Sequence, residues 1–342
     1  MNITSQDKVC SYGNISEEIV EFFFLLNFFI LNAITGSIGL VVNVIKVIVF
    51  FKLGLRDSTN ISFFVLSLAD AGVGLLLIGF SVVFNPLFKD AVTYIEISVS
   101  ISFYCLTWPY GFFSRVASLM TAVITVERFL CITFPLKVKE ILNPTVATVT
   151  SVTLTLAVLA SVMPAFKART LGLVFSEKLN QTILGIVLSD DKEEYLSLTY
   201  LFSFFAMGVF QILSIVIIVI FTIALTHKFL QITNWRNRVS TKSDELSSKE
   251  KRLVKMIIFM SISFLIFSIP GMIFCLFAVF DESFAYEGPC RNLYLIFSSL
   301  IFPPDSLNSL VNFFLLLYMS SKFKNVVRLM YEGIISLKKQ KP

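Results

Sequence analysis

The sequence predicts an all-α integral membrane protein, a seven-transmembrane helix bundle followed by a short amphipathic eighth helix. Three observations lead there. Apolar residues make up 56% of the chain, with 37 phenylalanines and a mean hydropathy of +0.82. Charged residues make up only 15%, against ~25% in soluble domains. The apolar residues also fall into seven stretches, each long enough to supply the ~20 residues that cross the hydrocarbon.

Residues 1–21 form a polar tail with glycosylation sequons at Asn2 and Asn14. Span 1 covers about Phe22 to Phe51 and is uncharged until Lys46, and a basic turn with Lys52 and Arg56 follows. Span 2 runs from about Ile61 to Phe84 and is broken only by Asp70. The Asn85-Pro86 pair ends it, because proline lacks a donor and disfavours helix in the residue before it. Span 3, Cys105 to Pro135, carries Arg115 in its middle and Glu127-Arg128-Phe129 where it leaves the apolar zone. A charge at the bilayer centre costs ~2.5–3.5 kcal/mol, so these residues are functional candidates. Span 4 covers about Val146 to Phe166, and a loop at 167–194 holds a third sequon at Asn180. Span 5, Tyr195 to Thr226, has no charge, and residues 227–255 form the most basic loop. Span 6, Met256 to Phe280, is interrupted by Pro270, while span 7, Leu293 to Ser320, contains Asp305, Asn308 and Asn312. The tail, 321–342, sets Phe323, Val326, Val327, Met330 and Ile334 at helical spacing against a basic face. Such a segment should lie along the membrane surface.

Orientation follows from the basic residues. Lys52 and Arg56, Lys137 and Lys139, the 227–255 loop and the tail hold most of the lysine and arginine. Positive loops stay in the cytoplasm, so the C-terminus is expected inside and the N-terminus outside, in a multi-pass protein of the plasma membrane. Asn2, Asn14 and Asn180 then face outward, while Asn60 faces inward and should stay bare. The first span is expected to act as its own insertion signal, without a cleavable leader.

Several functions are excluded. A net charge of +5, confined to loops, does not argue for nucleic acid. Five cysteines and one histidine supply no metal-ligand cluster. No Ser/His/Asp or Cys/His set shares a pocket, so no enzyme is expected. A transporter is the other membrane machine to weigh, but it would usually carry internal repeats or matched helix breaks, and Pro270 alone is neither.

The intramembrane polar residues discriminate further. GLVVN with Asn43, LSLAD with Asp70, Glu127-Arg128-Phe129 followed by CITFPLKVKEIL, FSIP with Pro270, NSLVN from Asn308 to Asn312, and Phe323-Lys324 occur in that order. Over nearly its whole length the chain therefore resembles the rhodopsin-like (class A) G-protein-coupled receptors. GLRDSTNISFFVLSLAD and TVERFLCITFPLKVK resemble, more narrowly, the gastropod chemosensory receptors. The resemblance implies an extracellular small-molecule or peptide ligand, a lipid bilayer and a heterotrimeric G protein as partners. It implies that Glu127, Arg128, Phe129, Glu250 and Pro270 form the switch, with Arg128 clasped at rest by Glu127 and by Glu250 across the bundle. Asn43, Asp70, Asn308, Ser309 and Asn312 match an internal sodium and water site, and sodium is the one cofactor implied; the same residues also read as a structural polar knot. Arg115 and Asp305 sit at the depth of the ligand pocket. There Arg115 would grip a carboxylate and Asp305 an ammonium, as for an amino-acid-like cue, or the two would neutralise each other. A neuropeptide is the alternative ligand. A Cys10–Cys290 disulfide has precedent in related peptide and chemokine receptors, with Cys105 able to pair with either instead. Residues 292–321 hold no lysine for a retinal Schiff base. The chain departs from the family pattern at Asn312-Phe313, where an Asn-Pro is usual, and at Ser268, where a tryptophan is. It also lacks a cysteine in 167–194.

Overall fold

The computed structural model describes residues 10, 12–13, 15–88, 94–135, 137–176, 180–188, 193–239, 245–281, 283–285 and 288–339. Among them, seven helices are long and apolar enough to cross a membrane: α1 (Glu17–Leu53), α2 (Ser58–Val83), α3 (Tyr104–Thr133), α4 (Pro144–Lys167), α5 (Phe205–Asn234), α6 (Lys251–Phe280) and α7 (Arg291–Met319). An eighth helix, α8 (Ser321–Lys339), follows directly. The protein is a multi-pass bundle. The helices α2 and α3 are buried most deeply, and α5 and α6 least. On α5 and α6, side chains such as Ile212, Val216, Ile220, Ile223, Ile262, Ile266 and Ile269 are exposed on the outer face. Apolar exposure of that extent belongs against lipid.

Local chemistry sets the connections. Gly54, at φ +91°, ends α1 in a backbone conformation that glycine adopts without strain. Three residues later Asp57 caps α2, its carboxylate accepting the Thr59 N–H at 3.4 Å. The turn is short, so α1 and α2 lie side by side. A Cβ on Gly74 would stand 2.9 Å from the Leu40 backbone nitrogen, and only a glycine permits so close a pairing. The core below is Val49, Phe50, Phe63, Leu66, Leu119, Met120, Ile257, Met260, Leu316 and Phe323. Phe323, fully buried at the start of α8, rests on Phe50 and Phe313 with ring centroids 5.6 Å and 6.0 Å away. Val326, Val327 and Met330 pack on the same core, so the apolar stripe of α8 is turned inward over this stretch.

Several features differ from the sequence reading. The helix holding α5 runs on to Val239, and the one holding α6 begins at Glu245. Hydropathy marks where the membrane ends, but THKFLQITNWRNRV holds no Gly or Pro to end the helix there. The loop expected at 167–194 contains a hairpin, β1 (Arg169–Ser176) antiparallel to β2 (Gln181–Leu188), with Leu171 opposite Ile186 and Leu173 opposite Leu184. Its strands are rich in the β-branched and apolar residues that suit a pleated surface. Asn180 enters β2 at φ +48°, which asparagine tolerates. Finally, α7 is broken at Ile301-Phe302 into Arg291–Leu300 and Pro303–Met319, because Pro303 and Pro304 can begin a helix but not continue one.

Candidate functional site

A cavity of about 220 Å³ lies in the half of the bundle nearer the Cys10 end. Phe28, Phe80, Trp108, Tyr110, Phe274 and Phe302 give it an aromatic wall, and its polar groups are few: Arg115, Gln211 and Asp305 chief among them. Two π-helical stretches, Leu25–Leu31 in α1 and Ser102–Thr107 across the start of α3, contribute Phe28, Ser102 and Thr107 to the lining. Such π-helical turns frequently mark functional sites.

Arg115 and Asp305 both line the cavity, but Ser114 stands between them. Asp305 Oδ2 accepts from Tyr110 Oη at 2.7 Å and from Ser114 Oγ at 2.6 Å. The break in α7 puts Asp305 in the first turn of the second segment, where the helix dipole favours a carboxylate. Arg115 donates through Nη1 to Gln211 Oε1 and through Nη2 to Ser114 Oγ, the latter at 3.1 Å. The direct neutralisation weighed from sequence is thus replaced by a relay through one hydroxyl. Arg115 has five N–H donors, and its Nε is buried without a hydrogen-bond partner. Sequence reasoning alone does not single out Tyr110, Ser114 or Gln211. Tyr110 and Ser114 are nonetheless findable as an i, i+4 pair on the Arg115 helix.

Beyond the cavity mouth, Cys10 and Cys290 form a disulfide, while Cys105 is a free, exposed thiol. Tyr12 Oη donates to Asp281 Oδ2 at 2.9 Å beside it. Hydrogen bonds from Ser283 and Tyr12 hold the Asp281 carboxyl below its usual range, and the bond to Asp281 raises the Tyr12 phenol. A carboxyl depressed in this way stabilises the fold above its ordinary titration range and loses that effect as pH falls through the lowered value. Peptide mapping without reduction is expected to yield Cys10 linked to Cys290 and Cys105 open to alkylation. A crosslink that includes Cys105 would refute the pairing. Of the sequons, Asn180 is exposed in the hairpin turn, and Asn2 and Asn14 lie outside the described residues.

At mid-bundle the five residues read as a sodium site divide. Asn43, Asp70 and Ser309 meet: Ser309 Oγ is 2.8 Å from Asn43 Oδ1 and 2.9 Å from Asp70 Oδ2, and its single proton serves one of them. Asn308 turns instead to α6, its Oδ1 accepting from Ser263 Oγ at 3.0 Å. Asn312 is buried, its Oδ1 unpartnered. The group that completes the cluster is Lys46, 1% exposed. Its Nζ donates to Asp70 Oδ2 at 2.9 Å and to Ser309 Oγ at 3.2 Å. A sodium ion does not fit this donor set. A second cation ~4 Å from the ammonium would be repelled by about 4 kcal/mol at an effective dielectric constant of 20. Lys46 is legible in the sequence as the lone charge of span 1, three residues after Asn43 and so on its face.

At the opposite end, α3 docks on α2 through hydroxyls. Glu127, 3% exposed, accepts from Ser62 Oγ at 2.9 Å and from Ser58 Oγ at 3.2 Å. Arg128 donates to Thr59 Oγ1. The expected clasp of Arg128 by Glu127 is therefore not made: both residues turn to α2, whose first turns supply hydroxyls at 58, 59 and 62. Phe129 meets Phe221 of α5 edge-on at 5.3 Å. Pro270 lies inside α6. Glu250 is on the helix that leads into α6, with its side chain outside the described ones.

The model of one family, described as serpentine type 7TM GPCR chemoreceptor Srw, matches residues 30–332 of the chain. No curated protein matches it.

Proposed function

From the premise that the chain belongs to the serpentine 7TM GPCR chemoreceptor family, we propose that it binds an amino-acid-like cue in the aromatic cavity and activates a heterotrimeric G protein. The observation that carries the ligand class is Arg115. It lines the cavity with a buried Nε–H that has no partner, and buried donors are costly to leave unmade. A carboxylate is the acceptor that suits a guanidinium best. The aromatic wall asks for an apolar or aromatic side chain, and Asp305 offers a carboxylate to an ammonium. The volume of about 220 Å³ is below the ~300–1,000 Å³ of drug-sized pockets, which favours a small molecule over a neuropeptide.

In this reading the N-terminus is extracellular and the basic loops are cytoplasmic, in the plasma membrane, with glycans at Asn2, Asn14 and Asn180. Glu127, Arg128, Phe129, Glu250 and Pro270 belong to the switch that admits the G protein. The basic residues of the loops and tail, and the sequons at Asn2, Asn14 and Asn180, support that assignment of ends. No catalytic group is assigned.

Cells expressing the receptor with a promiscuous G protein and a calcium reporter test the reading. L-phenylalanine, 3-phenylpropanoate, phenethylamine and phenylalaninamide separate the contributions of the two charges. Activation by the amino acid and the acid, with loss in the amine and the amide, is the expected pattern. Activation by the amine and amide instead would move recognition from Arg115 to Asp305.

A further inference from the structure

We propose that Lys46 is a built-in cation: its ammonium holds the mid-bundle place beside Asp70 that a dissolved sodium ion would otherwise take, so the resting protein is indifferent to sodium. The inference does not depend on which ligand the aromatic cavity takes. It rests on three observations.

First, the Lys46 ammonium is bonded on two sides, to Asp70 at 2.9 Å and Ser309 at 3.2 Å. These partners come from α2 and α7, so one side chain from α1 joins three helices. Second, Lys46 is among the largest fully buried side chains of the protein. A lysine in the hydrocarbon zone usually bends its head toward the interface; here the four-carbon stem keeps the charge inside. Third, the cluster adjoins the ligand cavity. A small cavity of about 20 Å³, room for a single water, is lined by Asp70, Ser114, Gln211, Asp305 and Asn308. Through it the Lys46–Asp70 pair lies next to the residues that Arg115 contacts.

The consequence is mechanical. A free ion can leave a site when helices rearrange, and its occupancy follows the salt outside. A tethered ammonium has constant occupancy and can only change partners. The three-helix joint therefore holds at any sodium concentration.

The test uses the full-length receptor, purified in lipid nanodiscs, with sodium itself as the probe. Thermal unfolding is followed in NaCl and in choline chloride of equal ionic strength. Anything that binds only the folded state raises Tm as its concentration exceeds its Kd. The wild type is expected to melt at the same temperature in both salts. Lys46→Met keeps the stem and removes the charge, so it should melt lower in choline chloride and recover as sodium is added. A wild type whose Tm climbs with sodium overturns the proposal, as does a folded Lys46→Met that ignores sodium. If Lys46→Met does not fold, Lys46→Met/Asp70→Asn is measured. Because it removes both charges, it should regain yield and be indifferent to sodium. A double variant no better than the single one would show that the two charges do not answer each other.

Discussion

Arg115→Gln is expected to weaken activation by 3-phenylpropanoate about 30- to several thousand-fold while the receptor still reaches the cell surface. The magnitude follows from losing one partner of a desolvated, charge-assisted contact, ~2–5 kcal/mol, at 1.4 kcal/mol per decade of affinity. Surface expression should survive because Arg115 makes its bonds to Gln211 and Ser114 by hydrogen-bond donation, which an amide can partly replace. Among the described residues it is not one half of a buried ion pair, whose breaking would cost more. Arg115→Lys should fall between, since a point charge keeps the attraction and loses the planar fork. The two readings of Arg115 thus separate on one gel and one dose–response curve. A normal curve in a well-expressed Arg115→Gln receptor would place ligand recognition elsewhere. Failure of every Arg115 variant to reach the surface would make the residue a structural strut of α3 and α5.

Part of this architecture is legible in the sequence and part is not, for physical reasons. Membrane spans are written in bulk composition, so all seven helices can be placed from apolar run length alone. Where a helix stops is written in a few turn residues, so the continuation of α5 to Val239 escapes a hydropathy reading. The α7 break escapes too, although the Pro303-Pro304 pair announces it. Intramembrane charges are rare enough to attract notice, and Arg115, Asp70 and Asp305 stand out for that reason. Their partners do not. Serine and threonine cost little in a membrane helix and are common there, so Ser114, Ser58, Thr59 and Ser62 carry no signal until the helices are brought together. Lys46 illustrates the same limit. Its burial depends on Asp70 and Ser309 arriving from two other helices, and a single chain in sequence order shows neither. The Glu127–Arg128 clasp rests on adjacency, yet successive helix positions point some 100° apart. Facing hydroxyls on α2 therefore capture the two residues separately.

Thr59→Val is expected to raise ligand-free signalling roughly tenfold or more, and Arg128→Ala to silence the receptor without stopping its expression. Both follow from the contact by which Arg128 is held, its bond to Thr59 Oγ1 at the start of α2. An ionised donor to a neutral acceptor in a partly buried site is worth ~1.5–3 kcal/mol. Valine keeps the shape of threonine and removes the acceptor, so the resting arrangement loses that stabilisation while the core is spared. If the resting state outweighs the open one by a few kcal/mol, a loss of ~1.4 kcal/mol multiplies the open population about tenfold. Glu127 constrains the outcome. It stays anchored to Ser58 and Ser62, so α3 keeps its seat on α2 and only the arginine is released. Arg128→Ala acts in the other direction, because Arg128 belongs to the switch proposed to admit the G protein. Glu250, on the helix that leads into α6, is the second tether proposed in this scheme. Glu250→Ala combined with Thr59→Val should then exceed either change alone. Ligand-free calcium or cAMP signalling, normalised to surface receptor, measures each variant. Basal activity unchanged in a normally expressed Thr59→Val receptor would show that the α2–α3 contact is a packing feature and that the resting state is held by other groups.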